Sequence, residues 1–269
     1  MSNAESLQNR GEKNCEVIRM KILGNADTIR YVGFRNLEDT GIVSAGFTIK
    51  DENDWAYRRI AKEIGTSIER MLRPKEEHTG NVLRVSSAEG GEGTMRPSSL
   101  TNADGAVTDE RGLALCLIAS DCAAVYLVDP VRNCIGLSHS GRMGTQFDIA
   151  AATVKMMTDC FGSDPADIVA AIGPCICQSC YEVDAVTAQK FSGCLKKEWG
   201  SELIREKNGR FYLDIAGTIH CQLEEAGVNR IQMPEYCTCH DEHFYSYRGG
   251  DGRESNAAWL MLTEKKDQR

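Results

Sequence analysis

The sequence predicts a mixed α/β or α+β fold in a single domain, and three observations carry that prediction. Short runs alternate apolar and polar residues as strands do, other stretches place apolar residues at helical spacing, and no linker, repeat or low-complexity block interrupts them. The chain has 269 residues, 42% of them hydrophobic, enough to bury a large core. The domain is expected to cover residues 15–265. Residues 1–14, MSNAESLQNRGEKN, read as a disordered or cloning-derived N-terminus.

Cys15–Leu23, Thr28–Arg35 and Ile42–Ile49 have the apolar alternation of strands. Trp55–Leu72 sets Ile60, Ile64, Ile68 and Leu72 at helical spacing and ends near Pro74, which predicts an amphipathic helix. The Gly- and Ser-rich stretch Ser86–Ser99 reads as a mobile loop close to the site. Leu113–Ile118 and Ala123–Val128 are apolar runs flanking Ser120-Asp121-Cys122. Asp129-Pro130-Val131-Arg132-Asn133 has turn chemistry, and Cys134–Leu137 is apolar again. Met143–Phe161 and Asp214–Ala226 are further amphipathic helices, and Ile168–Ile172 is a buried strand ending at Gly173-Pro174.

If Ala123–Val128 pairs with Cys134–Leu137 about that turn, Cys122 and His139 come together. Directly opposed residues have Cβ atoms about 4.5–5.5 Å apart and diagonal ones about 7–8 Å, so one metal ion bridges either arrangement. His78, in EEHTG, completes a trio. Two imidazoles and a thiolate suit zinc, and three protein ligands leave a fourth position open, as in a catalytic site. The bland alternative is a buried thiol beside a surface histidine; the turn and the glycine-rich exit after His139 favour the metal.

A net charge of −8 argues against a nucleic-acid polymer as partner. No run of about 18 apolar residues predicts a membrane span, and the N-terminus lacks a secretory apolar segment. The twelve cysteines therefore read as reduced thiols of a cytoplasmic enzyme. Cys116, Cys134, Cys160 and Cys221 read as small buried hydrophobes. Cys175, Cys177 and Cys180 with Cys237 and Cys239 would make a second, structural zinc site, but CxCxxC is a looser signal than paired CxxC motifs and weighs against it, with redox pairing of the thiols on storage as the alternative. His220 reads as a helix residue. His240 and His243 read as parts of a polar loop, with accessory ligation or pocket lining as the alternative.

The strings ADGAVT (Ala103–Thr108), SDC (Ser120–Cys122), HSGRMGT (His139–Thr145), AAIGPCICQSCYEV (Ala170–Val183) and FYSYRGGDGR (Phe244–Arg253) together resemble the laccase-domain, or multicopper polyphenol oxidase-like, family over roughly residues 28–262. The resemblance implies a four-layer α-β-β-α sandwich and a zinc ion held by His78, Cys122 and His139. It also implies phosphorolysis of adenosine, inosine, guanosine and methylthioadenosine, with adenosine deamination as a companion activity. The partners would then be a purine nucleoside and phosphate. Glu76 departs from the family's Gln-x-His, and His139-Ser140-Gly141-Arg142-Met143-Gly144 departs from His-Ala-Gly-Trp-Arg-Gly. Arg35-Asn36 and Ile42-Val43-Ser44 stand in place of the usual Ser-Thr-Arg and Gly-Gly-Val-Ser strings. The metal ligands all survive; the altered segment at Arg142 bears on phosphate recognition.

Phosphorolysis needs phosphate placed under the anomeric carbon and protonation of the leaving purine. Arg248, Arg253 and Arg142 are the candidate substrate-binding arginines, because guanidinium presents a planar fork to oxyanions; for Arg253 a plain surface role is equally consistent. Tyr181 would stack on a nucleobase or simply pack. Asp121 would orient an imidazole or act as a proton carrier, or else serve structure, since neighbours on a strand face opposite ways. Two other readings compete. Cys122 and His139 resemble a nucleophile–base pair, which fits a cysteine hydrolase or amidase acting on peptidoglycan precursors, as some relatives are described as peptidoglycan-editing factors. A non-enzymatic metal or ligand sensor is the other. Five histidines are too few for a multicopper cluster beside a blue-copper centre. A single copper would occupy the trio in vitro, because Cu²⁺ outcompetes Zn²⁺ at most such sites.

Overall fold

Two six-stranded sheets lie face to face in the computed structural model, which describes residues 22–24, 29–50 and 57–263. The first has the order β1 (Ile22–Gly24), β2 (Arg30–Val32), β3 (Val43–Thr48), β15 (Asn256–Leu262), β7 (Ala114–Ala119) and β4 (Met71–Leu72). The second runs β14 (Arg230–Gln232), β10 (Val169–Ile172), β8 (Ala123–Asp129), β9 (Cys134–Ser140), β6 (Gly105–Thr108) and β5 (Val82–Arg84). A small third sheet joins β11 (Glu182–Val183), β13 (Arg210–Leu213) and β12 (Ile204–Lys207). The helices are α1 (Arg35–Glu38), α2 (Tyr57–Ile64), α3 (Arg142–Gln146), α4 (Ile149–Phe161), α5 (Ala185–Ser192) and α6 (Ile215–Glu225).

The strand period sorts side chains into layers. On β7, Leu115 and Leu117 enter the core between the sheets, while Ala114 and Cys116 meet Ile60 and Ala61 of α2. Along β15, Leu260 and Leu262 face inward and Trp259 and Met261 face α2. β8 sends Tyr126 and Val128 to the central core and Val125 and Leu127 to the far side. There they join Val154 and Met157 of α4 and Ile219 and Leu223 of α6. The layers are therefore helix, sheet, sheet, helix, the α-β-β-α sandwich expected. Sheets covered on both faces explain why these strands read as continuous apolar runs. Each large apolar side chain so buried contributes about 1.5–3 kcal/mol. No helix among the described residues is long and apolar enough to cross a membrane.

Several elements differ from expectation at single residues. The predicted helix Trp55–Leu72, whose first two residues lie outside the described set, stops at Ile64 because Gly65 takes φ 71°. Beyond it Ile68–Arg70 is a 3₁₀ turn and Met71–Leu72 pairs with β7 as a parallel strand. Met143–Phe161 is two helices, not one, since Asp148 adopts φ 57° and caps α4 through the Ala151 N–H. The strand predicted over Thr28–Arg35 shortens to Arg30–Val32 as Phe34 begins α1; residues 15–21 and Thr28 lie outside the described set. Ser86–Ser99 is a pinned loop. A capping box joins Ser86 to Glu89, and the buried Glu92 carboxylate accepts from Ser99 N (2.6 Å) and Arg96 Nε (2.9 Å).

Candidate active site

The chain passes from one sheet to the other at Ser120-Asp121-Cys122, between the end of β7 and the start of β8. Asp121 makes the step at φ 89°. Its carboxylate accepts from Thr238 Oγ1 (2.7 Å), Ser246 Oγ (2.6 Å) and Arg248 N (2.8 Å). Asp121 thus fastens the C-terminal segment to the crossover, and its role is positional.

β8 and β9 form the predicted hairpin, with Ala124 opposite His139 and Ala123 opposite Ser140. Continuing that register sets Cys122 against Gly141 on the face of His139. A Cβ on Gly141 would lie 2.6 Å from Cys122 Sγ, so the missing side chain is what makes room for the thiol. His78 arrives from a loop held by Asp104. That carboxylate accepts from the backbone N–H groups of His78 (2.9 Å) and Thr79 (2.6 Å), and lies 3.1 Å from Nδ1 of buried His139. One acid therefore holds the His78 backbone and the His139 ring, and with His139 Nδ1–H donating to Asp104, Nε2 is left as a donor to metal.

The ligand atoms of His78, Cys122 and His139 all lie within 4.8 Å of one another, close enough to share an ion. The charges of the three groups act on one another, and the thiol is the one prepared for a metal. Burial pushes the Cys122 thiol up, but His139 and His78 outweigh it and bring it down to about 6. Burial opposes charge on His139, yet Cys122 and Asp104 raise it to about 10. Burial likewise works against ionised Asp104, but bonds from His139 and Thr79 hold it at about 2. A thiolate prepared this way is the form that binds metal. The donor set, its separations and the carboxylate behind His139 all fit zinc.

Two cavities flank the trio. One of about 320 Å³ is lined by His78, Cys122, Arg142, Tyr181, Tyr247 and Arg248. The other, about 350 Å³, has Glu76, His139 and Arg253 in its wall together with His78 and Cys122. Both are of the size that takes small molecules. The candidate arginines and Tyr181 are thus brought around the trio, whereas no residue of Ser86–Ser99 lines either cavity. Arg248 sits 5.2 Å from the Tyr181 ring centre and donates to Glu182 O at 2.8 Å. Arg142 donates to Gln146 Oε1 at 2.7 Å. A larger groove of about 860 Å³ between Arg35 and Gln232 contains no member of the trio.

Three residues at the site were not assigned from sequence. Asp104 sits in ADGAVT, where Asp-Gly before an apolar run signals a turn rather than an orienting carboxylate. Tyr247 faces the first cavity from an irregular loop. Glu76 has both oxygens occupied, by Ile118 N (3.0 Å) and by Arg73 Nη1 (3.0 Å). Burial raises its carboxyl although Arg73 opposes the shift. Arg73, three residues upstream, was the available clue. His220 and His243 line neither cavity and lie 3.5 Å from Glu224 and 2.8 Å from Asp241.

Comparison with known proteins places these features in context. A family model described as multi-copper polyphenol oxidoreductase laccase matches residues 45–261. A protein of Streptomyces coelicolor named purine nucleoside phosphorylase is 31% identical over 257 residues, covering 89% of this chain and all of that one. Purine nucleoside phosphorylase YlmD of Geobacillus stearothermophilus is 31% identical over 199 residues, covering 72% of this chain and 73% of its own. The crystal structure of YlmD from Geobacillus stearothermophilus superposes with a TM-score of 0.81 at 26% identity, over 91% of this chain and all of that one.

Proposed function

The chain belongs to the multi-copper polyphenol oxidoreductase laccase family, and from that premise we propose that it is a zinc-dependent purine nucleoside phosphorylase. Its substrates would be adenosine, inosine, guanosine and methylthioadenosine, with adenosine deamination as a companion activity. The observation that carries the reading is the His78–Cys122–His139 trio set between two cavities that also hold arginines and tyrosines. Relatives named purine nucleoside phosphorylase over most of the chain support it.

In this reading His78, Cys122 and His139 hold zinc, which when bound supplies Lewis-acid polarisation. Arg142 and Arg248 in one cavity and Arg253 in the other are the anion-binding groups, each able to present a fork to phosphate oxygens. Tyr181 and Tyr247 offer ring faces for the base. An oxygen of hydrogen phosphate bonds to C1′ as the C1′–N9 bond breaks, the electron pair leaves with the purine, and the proton that the phosphate carried passes to the base. The protein's contribution is to place phosphate and nucleoside in line and to exclude water. Asp104 keeps the His139 imidazole oriented and holds the His78 backbone, and Glu76, with both oxygens engaged, serves the wall rather than the proton transfer.

Purified protein incubated with inosine and phosphate is expected to release hypoxanthine and ribose 1-phosphate, and to lose that activity on chelation. No hypoxanthine from protein loaded with zinc would refute the reading. One observation favours a second: Asp104, His139 and Cys122 also form a carboxylate–imidazole–thiol series with a thiol at about 6. A cysteine hydrolase built on them would stay active after chelation and be stopped by thiol alkylation. Tight nucleoside binding without turnover would favour a sensor instead.

A further inference from the structure

We infer that Cys177, Cys180, Cys237 and His240 form a second zinc site, structural in kind, that clasps two loops in the wall of the first cavity. The inference is independent of the proposed reaction, because it uses none of the trio's residues. Cysteines considered alone conceal the pattern. Cys177-x-x-Cys180 is matched by Cys237-x-x-His240, a pair of two-ligand knuckles in which the fourth donor is histidine. Cys175 and Cys239 stand outside the set.

The donor atoms of these four residues all lie within 4.8 Å of one another. His240 Nδ1 is 3.4 Å from Cys180 Sγ and 3.9 Å from Cys177 Sγ. Tetrahedral zinc, with Zn–S about 2.3 Å and Zn–N about 2.0–2.1 Å, puts neighbouring donors roughly 3.5–3.8 Å apart. The two His240–sulfur separations fall on either side of that range. The sulfurs also receive outer support: the Cys177 N–H donates to Cys237 Sγ at 3.2 Å, and Ser179 Oγ lies 3.1 Å from Cys177 Sγ. A short bridge pairs Cys175 with Cys237, and Thr238 N donates to Cys175 O at 3.2 Å, which holds the two knuckles side by side. A disulfide between two of these cysteines would strand the third thiol and give His240 no reason to face two sulfurs. Four protein donors leave no open position, which marks a structural rather than a catalytic site.

The location gives the metal a task. The first knuckle leads straight into Tyr181, and the second into the segment of Tyr247 and Arg248, all in the first cavity's wall. Arg248 ties the loops from the other side, donating to Glu182 O at 2.8 Å and reaching Cys180 O at 3.5 Å. The clasp therefore fixes the stacked pair of Tyr181 and Arg248 in that wall without itself lining the cavity.

Metal analysis of the full chain tests this. Wild type is expected to carry two zinc ions per chain, and a His78→Ala/Cys122→Ser/His139→Ala variant to keep one. Cys177→Ser/Cys180→Ser is expected to lose one; should it fail to fold, the trio variant still reports on the intact cluster. Cobalt loaded into the trio variant is expected to show thiolate charge-transfer absorption that rises when His240→Cys adds a fourth sulfur. A trio variant that binds no zinc overturns the inference, as does a disulfide among Cys177, Cys180 and Cys237 in protein purified without oxidant. Absence of phosphorolysis would leave the metal count untouched, so the two readings fail separately.

Discussion

Asp104, in neither cavity's wall, accepts from the His78 and Thr79 backbones and from the His139 ring. Its replacement by Asn removes the charge behind His139, and metal affinity at the trio is expected to fall roughly 10–100-fold, measured by competition with a chelator. The same residue predicts an acid limb of stability. Burial disfavours its charge, but the bonds from His139 and Thr79 lower the carboxyl from 3.8 to about 2. The unfolded chain thus binds that proton more readily, so the stabilisation is complete above the unfolded value and is lost as pH falls through about 2. In metal-free protein, urea midpoints are expected to drop from pH 4 toward pH 2 more steeply in wild type than in Asp104→Asn. Gly141→Ala is the steric counterpart. Its Cβ would meet Cys122 Sγ at 2.6 Å, so metal analysis is expected to show loss of the trio's ion with α3 and β9 still formed.

At the scale of elements, period and punctuation decided different things. The apolar runs of β7 and β8 were legible because each face of these strands meets a different apolar layer. Boundaries were not, because they rest on single backbone angles. Ile68 and Leu72 continue the helical spacing of α2, yet Gly65 at φ 71° ends it and Leu72 is buried as a strand residue. Gly65→Ala, with open space around its Cβ, tests the angle alone and is expected to cost about 1–2 kcal/mol in chemical denaturation. Gly46→Ala tests packing instead. Its Cβ would come within 2.3 Å of Trp259 Cζ2, so overpacking of about 1–3 kcal/mol or more is expected.

The whole molecule brings the site together at the crossover between sheets. Asp121 binds the C-terminal segment there, through Thr238, Ser246 and the Arg248 backbone. Under the proposed phosphorolysis, Asp121→Ala is expected to raise KM for phosphate about tenfold, equivalent to about 1.4 kcal/mol, with the metal content of the trio unchanged. The mixed α/β class and the Cys122–His139 hairpin were determined by sequence alone, because apolar runs and turn chemistry act between neighbours in the chain, whereas the four layers were expected only from the family resemblance. The trio was named from its donor types, but only the fold sets His78 beside the hairpin and Asp104 between the His78 backbone and the His139 ring. Likewise only the fold turns a loose cysteine string into a four-donor cluster by adding His240. Such groupings depend on how distant segments pack and on a few left-handed backbone residues, such as His78 and Asp121. No local pattern of residues encodes those contacts; they follow from the burial of two sheets against each other.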